Sequence, residues 1–467
     1  MKKMNVLMLG WHSSPLLSGG LGVASYGIAK ALSDHVNLSL ILPEIDPEMI
    51  LDNVDLTGLE EINVEEIKIR LAEPQYEAFA PVQYIQTDIL PYQTYEAEDE
   101  PEKEVTKEEI FTRAAHTAPA PNIPEVAAPP AESPKRKEEY PKSKEESPVP
   151  KTSIFQKAEA YGDDLNFQVI QYARYAARLA SAKDFDLIYA HDWMTFQAGI
   201  EIKMVTGKPL VLHVHTLEYD RKGPKSKGWI YELERKALVR ADAIISVSQY
   251  TASILEEHYG VDPEKVIPVY HGLEPVSPFR TEKAPDDKLV VFLGRFSEQK
   301  GPSYFLQIAL KVQEQYPEAH FVMAGTGPLL EKTKTSAEAR ALGDRISFPG
   351  FLERMEVYDL LSRADVFCMP SVSDPFGLSA LEAAQFGVPV VLSKQAGVAE
   401  VLRNALKADY QDTDLMARHV LHLLTEDSFR KKVIAETFYD IENLTWENTA
   451  EEIVDVFEMV QMAEPGK

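Results

Sequence analysis

Short apolar runs alternate along this chain with stretches that have the spacing of amphipathic helices. In the first half the runs are NVLMLG, LSLILP, DLIYAH, PLVLHVH, AIISVS and KVIPVY. Between several of them lie stretches such as GVASYGIAKALSDH and NFQVIQYARYAARLASA, in which apolar residues recur at i, i+3 and i+4. This alternation of buried strands with helices is typical of parallel α/β sheets.

A second series of the same kind follows the polar segment VSPFRTEKAPDDK. Its apolar runs are LVVFLG, HFVMAG, RISFPG, DVFCMP and VPVVLS, and the stretches YFLQIALKVQEQ, MEVYDLLSRA and SALEAAQF have helical spacing. The sequence therefore predicts an α/β protein with two doubly wound domains, residues 1–275 and 289–440, joined by a link at 276–288. Because open sheets of this kind bind ligands outside the carboxyl ends of their strands, two facing domains predict a central cleft.

The segment 95–153 differs in composition from the rest of the first domain. It holds ten of the 31 prolines of the chain and no glycine, together with charged runs such as EAEDEPEKE. Too few apolar residues are present to offset the entropy of ordering, which predicts a disordered, acidic and Pro-rich insertion. Two interpretations stay open: a tolerated surface insertion, or a segment that binds a protein partner.

Charge and cysteine content exclude several classes of function. The formal net charge of -26 argues against binding to nucleic acid or to an anionic membrane surface. No apolar run approaches the roughly 20 residues that span a bilayer, so stable membrane insertion is not expected. The N-terminal MKKMNVLMLG is interpreted as a first strand and not as an export signal. A single cysteine, Cys368, suits a reducing compartment, and the predicted location is the cytoplasm.

Glycines follow the first predicted strand. Gly10 comes first, and Ser18-Gly19-Gly20-Leu21-Gly22 then leads into a predicted helix. Glycines at such a turn let the backbone approach a ligand closely, and a helix N-terminus offers free N–H groups to an anion. Taken alone, the pattern is equally consistent with a tight turn.

Histidines follow two further strands of the first domain. His191-Asp192-Trp193 comes after DLIYA, where His191 could bind a sugar hydroxyl and Trp193 could pack on an apolar sugar face. The alternative is a helix N-cap at Asp192 with Trp193 in the core, and the core position is favoured for Trp193. The next strand ends in His213 and His215. Alternate histidines on a strand could suggest a metal, but no further ligand cluster is expected near them, so no metal site is predicted.

Cations and glycines follow the strands of the second domain. The loop from Gly294 to Gly301 carries Arg295, a planar donor for two phosphate oxygens, and Lys300, a movable point charge. The next strand is followed by Gly325 and Gly327, and then by a proline that opens a helix. This pattern predicts a site for a diphosphate, whereas the alternative for each cation alone is a solvated loop residue.

Two acidic residues flank the turn after the strand DVFCMP. Asp374 lies in the loop Asp374-Pro375-Phe376-Gly377-Leu378, and Glu382 lies in the first turns of the next helix. This separation, part loop and part helix, can bring both carboxylates to one cleft. A carboxylate can accept both hydrogens of the ribose hydroxyls, although acidic residues are also common at helix starts.

Taken together, these motifs resemble the retaining glycosyltransferases of family 4, which have the GT-B fold of two facing Rossmann-like domains. The resemblance covers nearly the whole chain except the insertion, and it is carried by the following motifs: SGGLG, HDW, HVHTLEYDR, ADAIISVSQYT, GRFSEQKG, AGTGP, ISFPGFL, PSVSDPFGLSALEAAQFGVPVV and LTWENTAEEIVDVFE. It also implies that residues 441–467 form a terminal helix that returns to the first domain.

The resemblance implies a role for each matched residue. Arg295 and Lys300 match the pair that holds the donor diphosphate, and Asp374 and Glu382 match the paired acids, of which the second binds the ribose. His191 matches the histidine that contacts the transferred sugar. The donor-binding positions are implied to be Gly19, Gly20, Gly294, Gly325, Gly327, Phe376, Gly377 and Leu378.

The implied activity is transfer of a hexosyl group from a nucleotide diphosphate sugar to an acceptor hydroxyl, with retention of configuration and without a cofactor or divalent metal. The branch most similar is that of the glycogen synthases, which makes an α-1,4-glucan the expected acceptor. Two departures from that branch are Asp374 in place of glutamate and Leu17 in place of a lysine. The alternatives are a small, lipid or cell-surface saccharide acceptor, and a non-catalytic nucleotide-sugar sensor, which Asp374 would permit.

Overall fold

A computed structural model of the protein describes residues 3–11, 20–46, 49–59, 165–279, 288–339 and 342–463. These residues belong to one compact unit. The predicted insertion at 95–153, Gly19, Leu17 and most of the predicted link lie outside the described residues. No described helix combines the length and the apolar character needed to cross a bilayer.

The first sheet has seven parallel strands in the order β3-β2-β1-β4-β5-β6-β7. Their bounds are β1 Asn5–Leu9, β2 Asn37–Leu42, β3 Val54–Gly58, β4 Leu187–His191, β5 Leu210–Val214, β6 Ala243–Ser246 and β7 Val266–Pro268. Every residue of β4, β5 and β6 is buried, as expected for central strands covered by helices on both faces. Six of the seven strands contain a predicted apolar run; β3, at the edge and half polar, was not predicted.

Helices cover both faces of this sheet. They are α1 Gly20–His35, α2 Leu165–Ala180, α3 Asp192–Thr206, α4 Glu218–Lys222, α5 Trp229–Arg240 and α6 Gln249–Tyr259. Local sequence explains their ends: Gly207 and Gly260 end α3 and α6 in the left-handed conformation, and the Ser248 side chain accepts a hydrogen bond from the N–H of Thr251 at the start of α6.

The second sheet has six parallel strands in the order β10-β9-β8-β11-β12-β13. Their bounds are β8 Leu289–Leu293, β9 His320–Ala324, β10 Ile346–Gly350, β11 Val366–Met369, β12 Val390–Ser393 and β13 Leu406–Ala408. The helices of this half are α7 Pro302–Gln315, α8 Leu330–Ala339, α9 Arg354–Arg363, α10 Leu378–Gln385, α11 Val398–Val401, α12 Thr413–Thr425 and α13 Asp427–Ile441. The short edge strand β13 was not predicted.

Two parallel sheets with this strand order confirm the predicted α/β fold of two doubly wound halves. In each sheet the strand order reverses at one point, between β1 and β4 and between β8 and β11. Ligands bind at such switch points, beyond the carboxyl ends of the strands. The loops that follow β1, β4, β8 and β11 therefore lie at the expected ligand-binding edges of the two sheets.

The last helix, α14 Trp446–Ala463, packs on the first sheet after the chain has completed the second. Its buried residues Ala450, Ile453 and Phe457 belong to the same core cluster as Val6 and Met8 of β1. Gly27 of α1 is needed for this packing, since a Cβ there would lie 2.4 Å from the Trp446 ring.

Candidate functional site

The loops after β8 and β11 bring a lysine and an aspartate into direct contact. Lys300 Nζ lies 2.6 Å from Asp374 Oδ2, and the Asp374 side chain is only 3% exposed. Lys300 ends a short 3-10 turn that closes on Gly301, whose φ of +67° favours glycine. A Cβ on Gly301 would lie 2.2 Å from the carbonyl oxygen of Pro370, so only glycine lets the two loops approach this closely. Arg295, in the same loop as Lys300, is exposed at the surface.

The glycines after β8 and β9 pack against each other's backbone. A Cβ on Gly325 would lie 2.0 Å from the Gly294 oxygen, and one on Gly327 would lie 2.5 Å from the Phe296 oxygen. The Phe296 N–H donates to Thr326 O at 2.8 Å. The glycines therefore join the two loops behind Arg295 and Lys300; a role in donor binding stays a prediction.

The turn after Asp374 holds the start of α10 in place. Gly377 is the N-cap of α10 with φ of +104°, and Leu378 is its first residue. The Asp374 N–H donates to Gln395 O at 2.9 Å, and the Val398 N–H donates to Phe376 O at 2.6 Å. The N-terminal end of α10 is thus fixed beside the Lys300–Asp374 pair, where its free N–H groups favour an anion.

Glu382 lies one turn further along α10, at a small cavity between the two halves of the chain. Desolvation raises the pKa of Glu382 to about 7, and the nearby Arg354 guanidinium opposes this shift. The cavity also touches Val23 of α1 and Trp446 of α14, and its volume is about 20 Å³. That is room for about one water molecule, so the cavity is too small for any larger ligand in this structure.

A buried aspartate of the first half contacts the same loop from the other side. Asp220 Oδ1 accepts a hydrogen bond of 2.7 Å from Ser373 Oγ, and Tyr250 OH lies 3.0 Å from the same Ser373 oxygen. Desolvation raises the pKa of Asp220. Asp220 was not among the predicted site residues because its partner is distant in the sequence and its own motif has no chemical signature.

The short helix that carries Asp220 is held by further buried carboxylates. Glu234 accepts a hydrogen bond of 2.6 Å from Tyr259 OH, and both of its carboxylate oxygens share a bifurcated hydrogen bond from the Glu218 N–H. Glu218 in turn accepts a 2.7 Å bond from Arg221 Nε. Burial raises the pKa of Glu234 to about 8. This network fixes α4 beside the Lys300 loop.

Four histidines cluster at the carboxyl ends of β4, β5 and β7. They are His191, His213, His215 and His271, and each is at most 7% exposed. Burial lowers the pKa of all four rings, and brings those of His191 and His271 to about 3. The expectation that no further possible ligand lies near His213 and His215 was wrong, because parallel strands place His191 beside them.

The two residues after His191 differ in how well they were predicted. Trp193 is fully buried, as predicted. Asp192 is not an N-cap: it begins α3 with φ of +57°, and its Oδ1 accepts hydrogen bonds from the N–H groups of His215 and Thr216, at 2.7 and 3.2 Å. It therefore ties the end of β4 to the end of β5. Burial raises the pKa of Asp192 to about 7.

Two family models match this chain. "Glycosyltransferase Family 4" matches residues 125–276, and "Glycosyl transferases group 1" matches residues 274–438. Among curated proteins, an uncharacterized glycosyltransferase of Bacillus subtilis is 31% identical over 55% of this chain and 71% of its own length. An α-maltose-1-phosphate synthase of Mycolicibacterium smegmatis is 26% identical over 60% of this chain and 80% of its own.

Solved structures share the architecture at lower identity. Sucrose-phosphate synthase from Thermosynechococcus elongatus aligns with a TM-score of 0.65 and 14% identity, over 99% of this chain and all of that one. The HepE protein of Anabaena, in complex with UDP and glucose, aligns with a TM-score of 0.60 and 16% identity, over 97% and 99% of the two chains. These matches support the fold seen here.

Proposed function

Because this chain belongs to family 4 of the glycosyltransferases and has the GT-B fold, we propose that it moves a hexosyl group, most simply glucosyl, from a nucleotide diphosphate sugar to an acceptor hydroxyl with retention of configuration. The observation that carries the proposal is the meeting of Lys300, Asp374 and the start of α10 at the switch point of the second sheet. Opposite them lie Asp220 and the histidines of the first half.

In the proposed reaction, the bond from C1 of the sugar to the phosphate oxygen breaks, and a bond from C1 to the acceptor oxygen forms on the same face. The diphosphate leaves with the electron pair, and the acceptor proton passes to a phosphate oxygen. Arg295, Lys300 and the N-terminal end of α10 stabilise the negative charge that develops on the leaving group. No side chain needs to act as a nucleophile, and no divalent metal is needed to neutralise the diphosphate.

The remaining assignments are proposed from the family resemblance together with the position of each residue. Glu382 would accept the ribose hydroxyls in the cavity beside Val23, and His191 would contact the transferred sugar through Nε2, the ring nitrogen with no partner among the described residues. Gly20 opens α1, where its N–H would approach the donor phosphates. The Lys300–Asp374 pair would exchange for a Lys300–phosphate pair as the donor binds.

For the acceptor, an α-1,4-glucan is the first choice. A small phosphorylated or polyhydroxylated acceptor is the second, and it is supported by the names of relatives: α-maltose-1-phosphate synthase, and several D-inositol 3-phosphate glycosyltransferases at 25–29% identity. The exposed Lys225 and Lys227, in the loop after α4, would suit a phosphate group on such an acceptor.

The test is a matrix of UDP-, ADP- and GDP-glucose against glycogen, glucose 1-phosphate, inositol phosphate and no acceptor, with nucleoside diphosphate release as the readout. Each reaction is repeated with EDTA and with the Lys300→Ala variant. We expect release stimulated by one acceptor, insensitive to EDTA and lost in the variant. Donor binding without release across the acceptors would favour the sensor instead, and recovery only with added metal would contradict the metal-free mechanism.

A further inference from the structure

Three of the four buried histidines form a continuous hydrogen-bonded chain. His191 Nδ1 lies 2.9 Å from His215 Nε2, and His215 Nδ1 lies 3.1 Å from His271 Nε2. Both nitrogens of the central ring are therefore engaged. The outer atoms of the chain, His191 Nε2 and His271 Nδ1, are buried and have no partner among the described residues.

The geometry favours this chain over a metal site. The rings of His213 and His215 are stacked, with centroids 4.1 Å apart and planes 16° apart. Stacked rings direct their nitrogens in parallel and not at one ion, which sits about 2 Å from each ligand nitrogen in the plane of its ring. His213 is bonded elsewhere, since its Nδ1 lies 2.5 Å from Tyr189 OH.

Neutral rings allow only two arrangements of protons in this chain. A neutral imidazole carries one proton, and each of the two hydrogen bonds needs one. If His215 carries its proton on Nε2, His191 must carry one on Nε2 and His271 on Nε2, which leaves His271 Nδ1 bare. If His215 carries its proton on Nδ1, then His191 Nε2 is bare and His271 Nδ1 is protonated. The two outer nitrogens thus always have opposite protonation.

His271 contacts the second half of the molecule. It lies in the loop after β7. Its ring contacts the Phe376 ring edge-on, with centroids 5.0 Å apart, and its centroid lies 5.8 Å from that of the Trp446 ring. Phe376 belongs to the turn that begins α10. Gly272, the residue after His271, is packed on the backbone of Trp446, since a Cβ at this position would lie 2.2 Å from the Trp446 nitrogen.

From this arrangement we propose that His271 is a positioning residue: acting through His215, it sets whether His191 presents a donor or a bare acceptor nitrogen to the sugar. Movement of Phe376 as the two halves open and close changes the surroundings of His271 and so biases the choice. The proposal rests on the proposed function, because it takes His191 to contact the transferred sugar.

The chain itself is tested without any substrate. The protein contains 11 histidines, and ¹⁵N labelling of their rings distinguishes protonated from bare nitrogens by chemical shift. At pH 7 we expect three neutral rings in one of the two arrangements, with His191 Nε2 and His271 Nδ1 in opposite states. Equal states at the two ends, or a stoichiometric metal ion in the purified protein, would overturn the proposal.

Variants then connect the chain to catalysis. His271→Leu removes the hydrogen bond between His271 and His215. It should change the ring ¹⁵N shifts of His191, at the other end of the three-histidine chain. His271→Gln keeps an amide that can donate or accept a hydrogen bond. His213→Leu is the matched control, since it removes an equally buried ring outside the chain. The control should leave the pattern of protonated and bare nitrogens in His191 as in the parent.

With the best donor and acceptor, His271→Leu should lower kcat about tenfold, the rate equivalent of one hydrogen bond, with little change in donor KM. His271→Gln should recover most of that loss. Equal losses in the two variants, or unchanged His191 shifts in His271→Leu, would show a packing role only. If the parent protein transfers no sugar at all, the proposed function is wrong. The ring-nitrogen measurement still tests whether the three histidines form the hydrogen-bonded chain.

Discussion

The charge on Lys300 is balanced by Asp374 at 2.6 Å within the described loops. The Asp374 side chain is almost fully buried, so removing either partner would leave an uncompensated charge and destabilise the fold. In the proposed reaction, a bound diphosphate would replace the aspartate as the partner of Lys300. Residues at strand ends such as Lys300 and Asp374 could be predicted from the sequence, since a loop after an apolar run is recognisable. Asp220 and His271 could not, because neighbouring residues in the sequence do not mark either of them as a site residue, and only the fold brings their partners, 153 and 56 positions away, into contact.

Lys300→Ala should lower kcat about 100-fold or more, because it removes a charge that stabilises the leaving diphosphate. It should also lower the free energy of unfolding, because Asp374 is left buried without its partner. Lys311→Ala is the control: Lys311 forms a surface ion pair with Asp414 and lies on the outer helix α7. Steady-state kinetics with the best donor give the comparison, and circular dichroism checks the fold. A Lys300→Ala enzyme with near-normal turnover would contradict the diphosphate assignment.

Glu382 gives the site a pH dependence of known sign. Its pKa rises from 4.5 to about 7 on folding, so the native state binds the proton more tightly, and the free energy of unfolding falls as pH rises through this window. Glu382→Gln should remove that fall and make the protein more stable than the parent above pH 7, by about 2 kcal/mol after allowance for partial exposure. Urea unfolding at pH 5 and pH 8 measures the difference.

The same carboxylate must be ionised to accept two ribose hydroxyls, so donor affinity in the parent should fall as pH drops below about 7. Calorimetric titration with the best donor between pH 5.5 and 8 tests this. The Glu382→Gln variant should bind weakly with a flat profile over that range. A parent whose affinity does not change with pH would argue that Glu382 does not hold the ribose.

At the scale of elements, the central strands and long helices could be predicted because their apolar spacing is regular. Two edge strands, β3 and β13, could not, since β3 is half polar and β13 is only three residues long. Close packing between helices could not be predicted from the sequence either. Gly27 is an unremarkable helical glycine until the structure places the Trp446 ring where its Cβ would be.

Gly27→Ala should therefore destabilise the contact between α1 and α14 by about 2 kcal/mol through overpacking, although alanine is the better helix former. Thermal unfolding followed by circular dichroism measures the effect. Lys30→Ala, on the exposed face of the same helix, should be close to neutral. Stabilisation by Gly27→Ala would mean that α14 does not pack as described.

At the scale of the whole molecule, polar contacts join the two halves. Glu400 of α11 accepts hydrogen bonds from the N–H groups of Gln249 and Tyr250, at 2.8 and 2.6 Å, and from Tyr270 OH at 2.9 Å. Ser248 Oγ donates to Pro375 O at 2.6 Å. The carboxylate thus caps a helix of the opposite half, which stabilises the closed arrangement.

Glu400→Ala should shift the equilibrium towards an open form about tenfold, the equivalent of losing one such cap. Because Cys368 is the only cysteine and is buried, Met204→Cys and Met355→Cys provide exposed sites, one on each half, for a fluorescent pair. Energy transfer should report a longer distance in Glu400→Ala than in the exposed control Glu442→Ala. Identical distances would argue against a closing role for Glu400.

The most direct test of the central claim is the configuration of the product. With an α-linked nucleotide-glucose donor and the best acceptor, the reaction is followed by proton NMR, in which the anomeric coupling distinguishes α from β linkages. We predict an α-linked product formed together with nucleoside diphosphate, and both formed at least about 100-fold more slowly in Lys300→Ala. A β-linked product, or sugar transfer at a near-normal rate without Lys300, would contradict retaining transfer at this cleft.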